Sequence, residues 1–200
     1  MRGVELEAGV FALARTAYPQ VRDETYVPVL DVLADAVRDE VSACEPPEAV
    51  ARLTRHLFER MGFRGNRGDF GDPDNSYMNR VLERRTGIPI SLSALLILVA
   101  RRLELPVVGV GMPTHFLAKY WDDEHEIFID AFDGGRTFSR SDASLRLVET
   151  GFGFQPQFLD PVSETAMLVR MARNLVLIYT ERKDVDRLKA LQRFAEGLQP

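Results

Sequence analysis

His115 and Asp130 are the residues of this sequence whose types and placing suit proton transfer. His115 follows Gly111-Met112-Pro113-Thr114 and leads directly into the apolar run Phe116 to Trp121. Asp130 closes a second run, Glu126 to Ile129, and is followed by Ala131-Phe132. If the two runs pair as a hairpin about Asp123, the imidazole and the carboxylate meet at its open end. A carboxylate in that place fixes the tautomer and direction of an imidazole, as a general base or a nucleophile–base pair requires. The same two groups can equally satisfy each other as a buried structural hydrogen bond. The sequence leaves both readings open. The other two histidines are less suggestive. His56 lies on a helix among charged neighbours and reads as a surface or half-buried residue, and His125 sits in an acidic turn and reads as solvated.

A second polar constellation is the segment 65–75, GNRGDFGDPDN. It has no apolar periodicity, and a loop of this length is either functional or tightly bonded to itself. Asn66, Asp69 and Asn75, with Tyr77 just beyond and Trp121 at the end of its strand, are candidate binding residues around a pocket at His115. Asp69, Asp72, Asp74 and Asn75 also offer the oxygens a hard cation takes. They lack the EF-hand spacing and its closing Glu. Capping of the following helix and Asx-turns account for them, so neither a metal nor a cofactor is expected.

The elements that must carry these residues follow from periodicity. Glu5–Ala14, Glu24–Val41 and a segment through Leu53, Leu57, Phe58 and Met61 read as helices, the last opened by Pro46-Pro47 and stopped by Gly62. A short helix spans Ser76–Arg85. Ser91–Leu103, SLSALLILVARRL, is apolar nearly all round and predicts a central buried helix with Ser91 as N-cap. Three strand-like runs follow, Val107–Val110, Phe116–Trp121 and Glu126–Ile129. Glu164–Tyr179 and Val185–Gly197 predict an antiparallel helix pair. Helices first, then a helix feeding antiparallel strands, is an α+β order. No internal repeat of the helix pair is visible.

Composition narrows the class. The chain has 200 residues, of which 46% are hydrophobic and 28% charged, which describes a globular chain. Its single cysteine, Cys44, excludes an intramolecular disulfide and points to a reducing, cytoplasmic setting. Met1–Val10 is too short an apolar run for a signal peptide. The longest apolar run, Ala94–Ala100, is too short to cross a bilayer. A net charge of −5 without a basic block argues against nucleic acid as a partner. The arginine pairs Arg84-Arg85 and Arg101-Arg102 fall at helix ends, where they oppose the dipole.

The runs NSYMNRVLERRTGIPISLS, VGVGMPTHFL and FIDAFDGG, in that order and spacing, resemble the bacterial SirB-one family of transglutaminase-like domains. The likeness runs from about Glu7 to Gly197. It implies a papain- or transglutaminase-like fold over residues 1–160, a central helix packed on a small antiparallel sheet. It also implies a helical hairpin similar to one tetratricopeptide unit over residues 161–200. In active members of that superfamily a cysteine heads the central helix, with His and Asp on the strands after it. His115 and Asp130 match the latter two, and Pro89 falls in the cysteine position. Cys44 comes too early in the chain to replace it. Ser93 lies four residues on, about 40° round but one turn deeper, and Ser91 is turned by roughly 200°. The resemblance therefore implies a non-catalytic, regulatory domain that binds a protein or peptide through its groove and helical tail. The alternatives are a hydrolase or acyl-transfer enzyme using His115 as general base with a non-cysteine nucleophile, and a purely structural scaffold.

Overall fold

A computed structural model describes residues 5–149, 151, 153 and 155–198, so the outermost positions of the two expected units, 1–4 and 199–200, lie outside the described residues. Helix α6 (Pro89–Arg102) is the axis of the fold, and every residue from Pro89 to Ala100 is buried. The helix starts two residues earlier than its apolar run suggests, because Pro89 fits the first turn, where no backbone N–H is needed. Ile88 is the N-cap. Ser91 therefore occupies the third helical position, and its Oγ accepts from the Ile88 N–H at 3.0 Å. This corrects the expectation that Ser91 is itself the cap.

Around α6 stand α1 (Leu6–Arg15), α2 (Asp23–Asp35), α3 (Arg38–Ser42), α4 (Pro46–Thr54) and α5 (Met78–Arg84). The single helix expected over 24–41 is thus two, α2 and α3. The helix through Leu57 and Phe58 is α4 continued by a wider turn with π geometry, Arg55–Arg60. His56 is carried on that turn and is 4% exposed, well inside rather than on the surface. The short strands β1 (Arg64–Gly65) and β2 (Thr86–Gly87) pair in parallel and bracket the polar loop.

The main sheet is antiparallel, in the order β6-β5-β4-β3-β7. Its strands are β3 (Val107–Val110), β4 (Leu117–Trp121), β5 (Glu126–Asp130), β6 (Arg136–Phe138) and β7 (Pro161–Val162). Ala118 pairs with Ile129 and Trp121 with Glu126, so the β4–β5 hairpin closes between Asp123 and Glu124. Helix α7 (Arg140–Glu149) covers one face through Ala143 and Leu147. On the other, α6 meets β3 and β4, and Phe116, Ala118, Tyr120 and Ile129 join its core. The α+β architecture expected from the order of elements is the architecture found.

Helices α8 (Glu164–Glu181) and α9 (Val185–Glu196) form the expected hairpin. Its apolar stripe, Met167, Leu168, Met171 and Leu175, joins the same core as Leu6, Val10 and Phe11 of α1. Gly9 of α1 makes that approach possible: a Cβ there would stand 2.2 Å from Leu168 Cδ1. At the C-terminal end of α6, Arg101 pairs with Glu164 and Arg102 with Glu7 and Asp31, so the terminal arginines also fasten neighbouring helices. No helix among the described residues is long and apolar enough to cross a membrane.

Candidate functional site

Strand β4 presents His115 two residues before its first paired residue, and β5 ends on Asp130. The register brings them together: His115 Nε2 lies 3.0 Å from Asp130 Oδ2. Asp130 is almost fully buried, while His115 keeps about a quarter of its side chain exposed. The carboxylate is saturated. Its Oδ1 accepts the backbone N–H groups of Phe132 and Asp133, each at 3.1 Å, and its Oδ2 also receives Arg146 Nη1 at 3.2 Å. Burial pushes the Asp130 carboxyl up, but the His115 hydrogen bond and charge, the Asp133 N–H and Arg146 outweigh it and hold the group below the usual carboxylate value. The anion takes up Nε2, and Nδ1 of His115 has no hydrogen-bond partner among the described residues.

The backbone leading into His115 is strained. Thr114 sits at φ +63°, a region that a β-branched residue rarely adopts. Such strain, of order 1–3 kcal/mol, persists only where surrounding contacts over-determine it. Two such contacts hold it: Arg170 Nη2 of α8 donates to the His115 carbonyl at 2.9 Å, and Phe132 meets the imidazole edge-on at 6.3 Å.

His115 stands between two cavities. One, of about 170 Å³, has walls of Phe70, Pro89, Ile90 and Phe116, with Arg170 and Asn174 entering from α8. The other, of about 400 Å³, is lined by Met112, Leu117, Asp130, Arg146 and Glu149. Thr114 borders both. Pro89, the first residue of α6, therefore lines the same cavity as the imidazole. Ser91 is turned away, its hydroxyl donating to the Asn75 carbonyl at 2.5 Å. Ser93 is wholly buried, with no partner among the described residues, and lines neither cavity. Cys44 follows α3 and donates to the Glu40 carbonyl, away from both cavities.

The residues expected to bind ligand separate into groups. Asn66, Asp69 and Asn75 meet in the loop and bond to one another: Asn66 Nδ2 donates to Asn75 Oδ1 at 3.0 Å, and Asn75 Nδ2 to the Asp69 carbonyl at 2.8 Å. Asn75 is completely buried. Tyr77 is also buried, its hydroxyl 3.1 Å from that of Tyr179, and burial followed by that bond raises its pKa. Trp121, half exposed, stands at the far end of β4, about 20 Å along the strand from His115 at 3.3 Å per residue, and does not flank the cavity. The loop still contributes one wall, because Phe70 is 57% exposed and meets Phe132 at 6.0 Å. Two of the loop carboxylates are engaged elsewhere. Asp74 holds Tyr18, Arg80 and Arg84, and Asp72 caps Asp74 N and pairs with Arg84.

Three site residues were not anticipated. Arg146 lies on α7, and a signal for that helix exists in Ser139-x-x-Asp142, which forms a reciprocal cap: Ser139 N reaches Asp142 Oδ2 and Asp142 N reaches Ser139 Oγ. Arg170 and Asn174 are four residues apart on α8, beside its apolar stripe. Reading the stripe alone passes over that polar pair.

Residues 24–173 match the family model described as the Transglutaminase-like superfamily. A UPF0162 protein of Xylella fastidiosa is 36% identical over 182 residues, 88% of this chain and 65% of the relative. A UPF0162 protein of Vibrio cholerae is 30% identical over 133 residues, 66% of this chain and 49% of its own. F-box only protein 21 of Mus musculus is 44% identical over 77 residues, 38% of this chain and 12% of that protein. The chain thus spans just under two-thirds of the Xylella relative's length. No solved structure matches the chain.

Proposed function

The chain belongs to the transglutaminase-like superfamily, and from that premise we propose that it is a non-catalytic member of the bacterial SirB-one kind, a regulatory module that binds a peptide or protein segment. The observation that carries the reading is Pro89 at the head of α6, facing the cavity opposite His115. Proline has no side-chain atom able to attack an acyl carbon, whereas the imidazole and its carboxylate are kept in working geometry. The groove has an exposed aromatic rim at Phe70 and a polar floor at His115, Arg170 and Asn174, a mixture suited to an extended peptide.

The α8–α9 hairpin, similar to one tetratricopeptide unit, offers a second surface. Val169, Ala172, Val176, Leu188 and Leu191 line a largely apolar groove of about 650 Å³ between its helices. The lone cysteine, Cys44, supports a reducing, cytoplasmic setting.

A second reading is an enzyme in which Nδ1 of His115, unpartnered among the described residues, takes a proton from water or from the Thr114 hydroxyl at the cavity edge. One experiment separates the two. Amine-transfer and ester, amide and thioester hydrolysis panels are run with the wild type, His115→Ala and Thr114→Val. The binding module gives background rates in all three. Turnover that His115→Ala abolishes without changing the melting temperature overturns it in favour of the enzyme.

A further inference from the structure

We propose that Arg170 and Asn174 form a subsite for a carboxylate borne next to an amide, as at the C-terminus of a peptide, inside the cavity at His115. The inference rests on the reading of that cavity as a ligand groove and adds the chemistry of what enters it.

Three observations converge. First, the Arg170 guanidinium has no carboxylate within ion-pair distance among the described residues, whereas Arg146, which borders the second cavity at His115, pairs with Asp130. Its environment is dry enough that burial pushes its pKa down, with no opposing charge to restore it. The guanidinium is half-buried, so an anion entering the cavity meets a charge already partly stripped of water.

Second, the guanidinium is held in a fixed direction. Nη2 donates to the His115 carbonyl at 2.9 Å, and Cζ lies 5.4 Å from the centre of the Phe116 ring. One donor of the five is thereby engaged with the backbone. The planar group retains N–H donors for an anion, and its orientation is fixed before the anion arrives.

Third, Asn174 lies one helical turn on, on the same face of α8, and borders the same cavity. Its side-chain amide makes no hydrogen bond to any described residue, which leaves both a donor and an acceptor for a ligand amide.

Size and charge favour a carboxylate over a phosphate. The cavity is about 170 Å³, and one guanidinium matches one negative charge. A phosphate dianion draws on several backbone donors at a helix start, but Pro89 occupies the first position of α6 and supplies none. The positive end of α6 still adds a favourable field for a monoanion.

The test uses N-acetylalanine, its neutral analogue N-acetylalaninamide, N-acetylaspartic acid α-amide with its free carboxylate on the side chain, and inorganic phosphate, each titrated into the full chain and followed by backbone amide NMR. The expected result is saturable movement of the Ile90, Thr114 and Phe116 amides by N-acetylalanine, at least tenfold weaker for the neutral amide, and no competition by phosphate. Arg170→Gln removes the preference for the acid while leaving the weak binding of the neutral amide. Asn174→Ala weakens both compounds to a similar degree. Stronger binding of the side-chain carboxylate would assign the anion to an acidic side chain and overturn the terminal assignment. Equal binding of acid and neutral amide at these resonances would overturn the anion subsite but leave the groove a binding site. If none of the probes moves them, the subsite and the groove reading fall together. The wild-type comparison of acid with amide decides the matter even if Arg170→Gln does not fold.

Discussion

Two polar clusters flank the start of α6, and they differ in what their side chains have left over. On one side Asn66, Asn75 and Ser91 form a closed knot. Asn75 gives its amide to the Asp69 carbonyl, takes the Asn66 amide, and offers its own carbonyl to Ser91, whose oxygen caps Ile88 N. On the other side His115, Arg170 and Asn174 each keep a donor or acceptor unspent at the wall of a cavity. Residue type alone does not separate the two, since asparagine occurs in both. Saturation does: the knot spends its polar atoms on architecture, and the cavity keeps its own for a ligand. An unpartnered atom is not sufficient by itself. His56 Nε2, Ser76 Oγ, Asn79 Oδ1 and Ser93 Oγ are also without partners among the described residues, but they border no cavity at His115.

The contrast is broken most directly at Asn75. Asn75→Ala removes two buried side-chain bonds and leaves the Asn66 amide and the Asp69 carbonyl short of partners, a loss of about 3 kcal/mol in urea unfolding. For a chain of this size that corresponds to a fall of roughly 6–12 °C in melting temperature. A change within about 0.5 kcal/mol would mean that water substitutes for the knot and that saturation is not its role.

Asp130 tests the border between the clusters, because it is saturated yet belongs to the cavity. Asp130→Ala should cost about 2–3 kcal/mol by stranding Arg146 and two backbone N–H groups. The pH dependence gives a sharper readout. The folded-state pKa is depressed, so the carboxylate's stabilisation is complete above its unfolded value and is lost as pH falls through the folded one. Asp130→Asn should therefore flatten the wild type's acid-side loss of stability below about pH 4. An unchanged profile would show that the carboxylate gains nothing from its four donors. His56 gives a control with a different window. Burial, chiefly, and then Arg60 lower its pKa from 6.5, so the neutral form is the folded one, and stability is lost as pH falls from that value. His56→Gln should remove this slope without touching ligand binding.

His115→Ala should change stability by less than about 1 kcal/mol, because the imidazole is partly exposed and the Asp130 oxygen retains Arg146. It should nevertheless abolish peptide binding in the groove. The reverse outcome, a large loss of stability with binding intact, would move His115 into the architectural class alongside Asn75.

The α+β order, the hairpin register and the meeting of His115 with Asp130 were legible because each rests on local periodicity: strand alternation, a turn of three acidic residues and one dominant apolar helix. Helix starts were read less well. Periodicity and capping missed the Pro89 start, which the family resemblance had marked, because Ser91 looks like a cap and the true cap residue, Ile88, has no capping side chain. The site was legible in part. His115 and Asp130 are close in sequence, whereas Arg170 arrives from α8, 55 residues later, and long-range packing such as that of Leu168 against Gly9 fixes where that helix lies. Asn66, Asp69 and Asn75 were recognised as a unit, but composition does not show that their hydrogen bonds close on themselves. Trp121 was placed at the pocket by residue type, and the strand's rise carries it to the opposite end of the sheet.

The smallest expected effect on stability comes from Pro89→Cys, and it decides most about the site. Position 89 is the first of α6, where proline is favoured but cysteine is tolerated, so the change should cost less than about 1 kcal/mol. Its chemical consequence should be large. A thiol there stands at the positive end of a 14-residue helix and faces the cavity shared with His115, and such surroundings favour the thiolate. In a Cys44→Ala background the introduced thiol is the one sulfhydryl in the chain. Its alkylation by iodoacetamide at pH 7 should run at least tenfold faster than that of Cys44 in the wild type, and His115→Ala should return most of that gain. Reactivity equal to that of Cys44 would show that proline does not stand in a nucleophile's place. The unspent donors at His115 would then owe nothing to a lost sulfur, and the case for a cavity kept open for a ligand would rest on Arg170 and Asn174 alone.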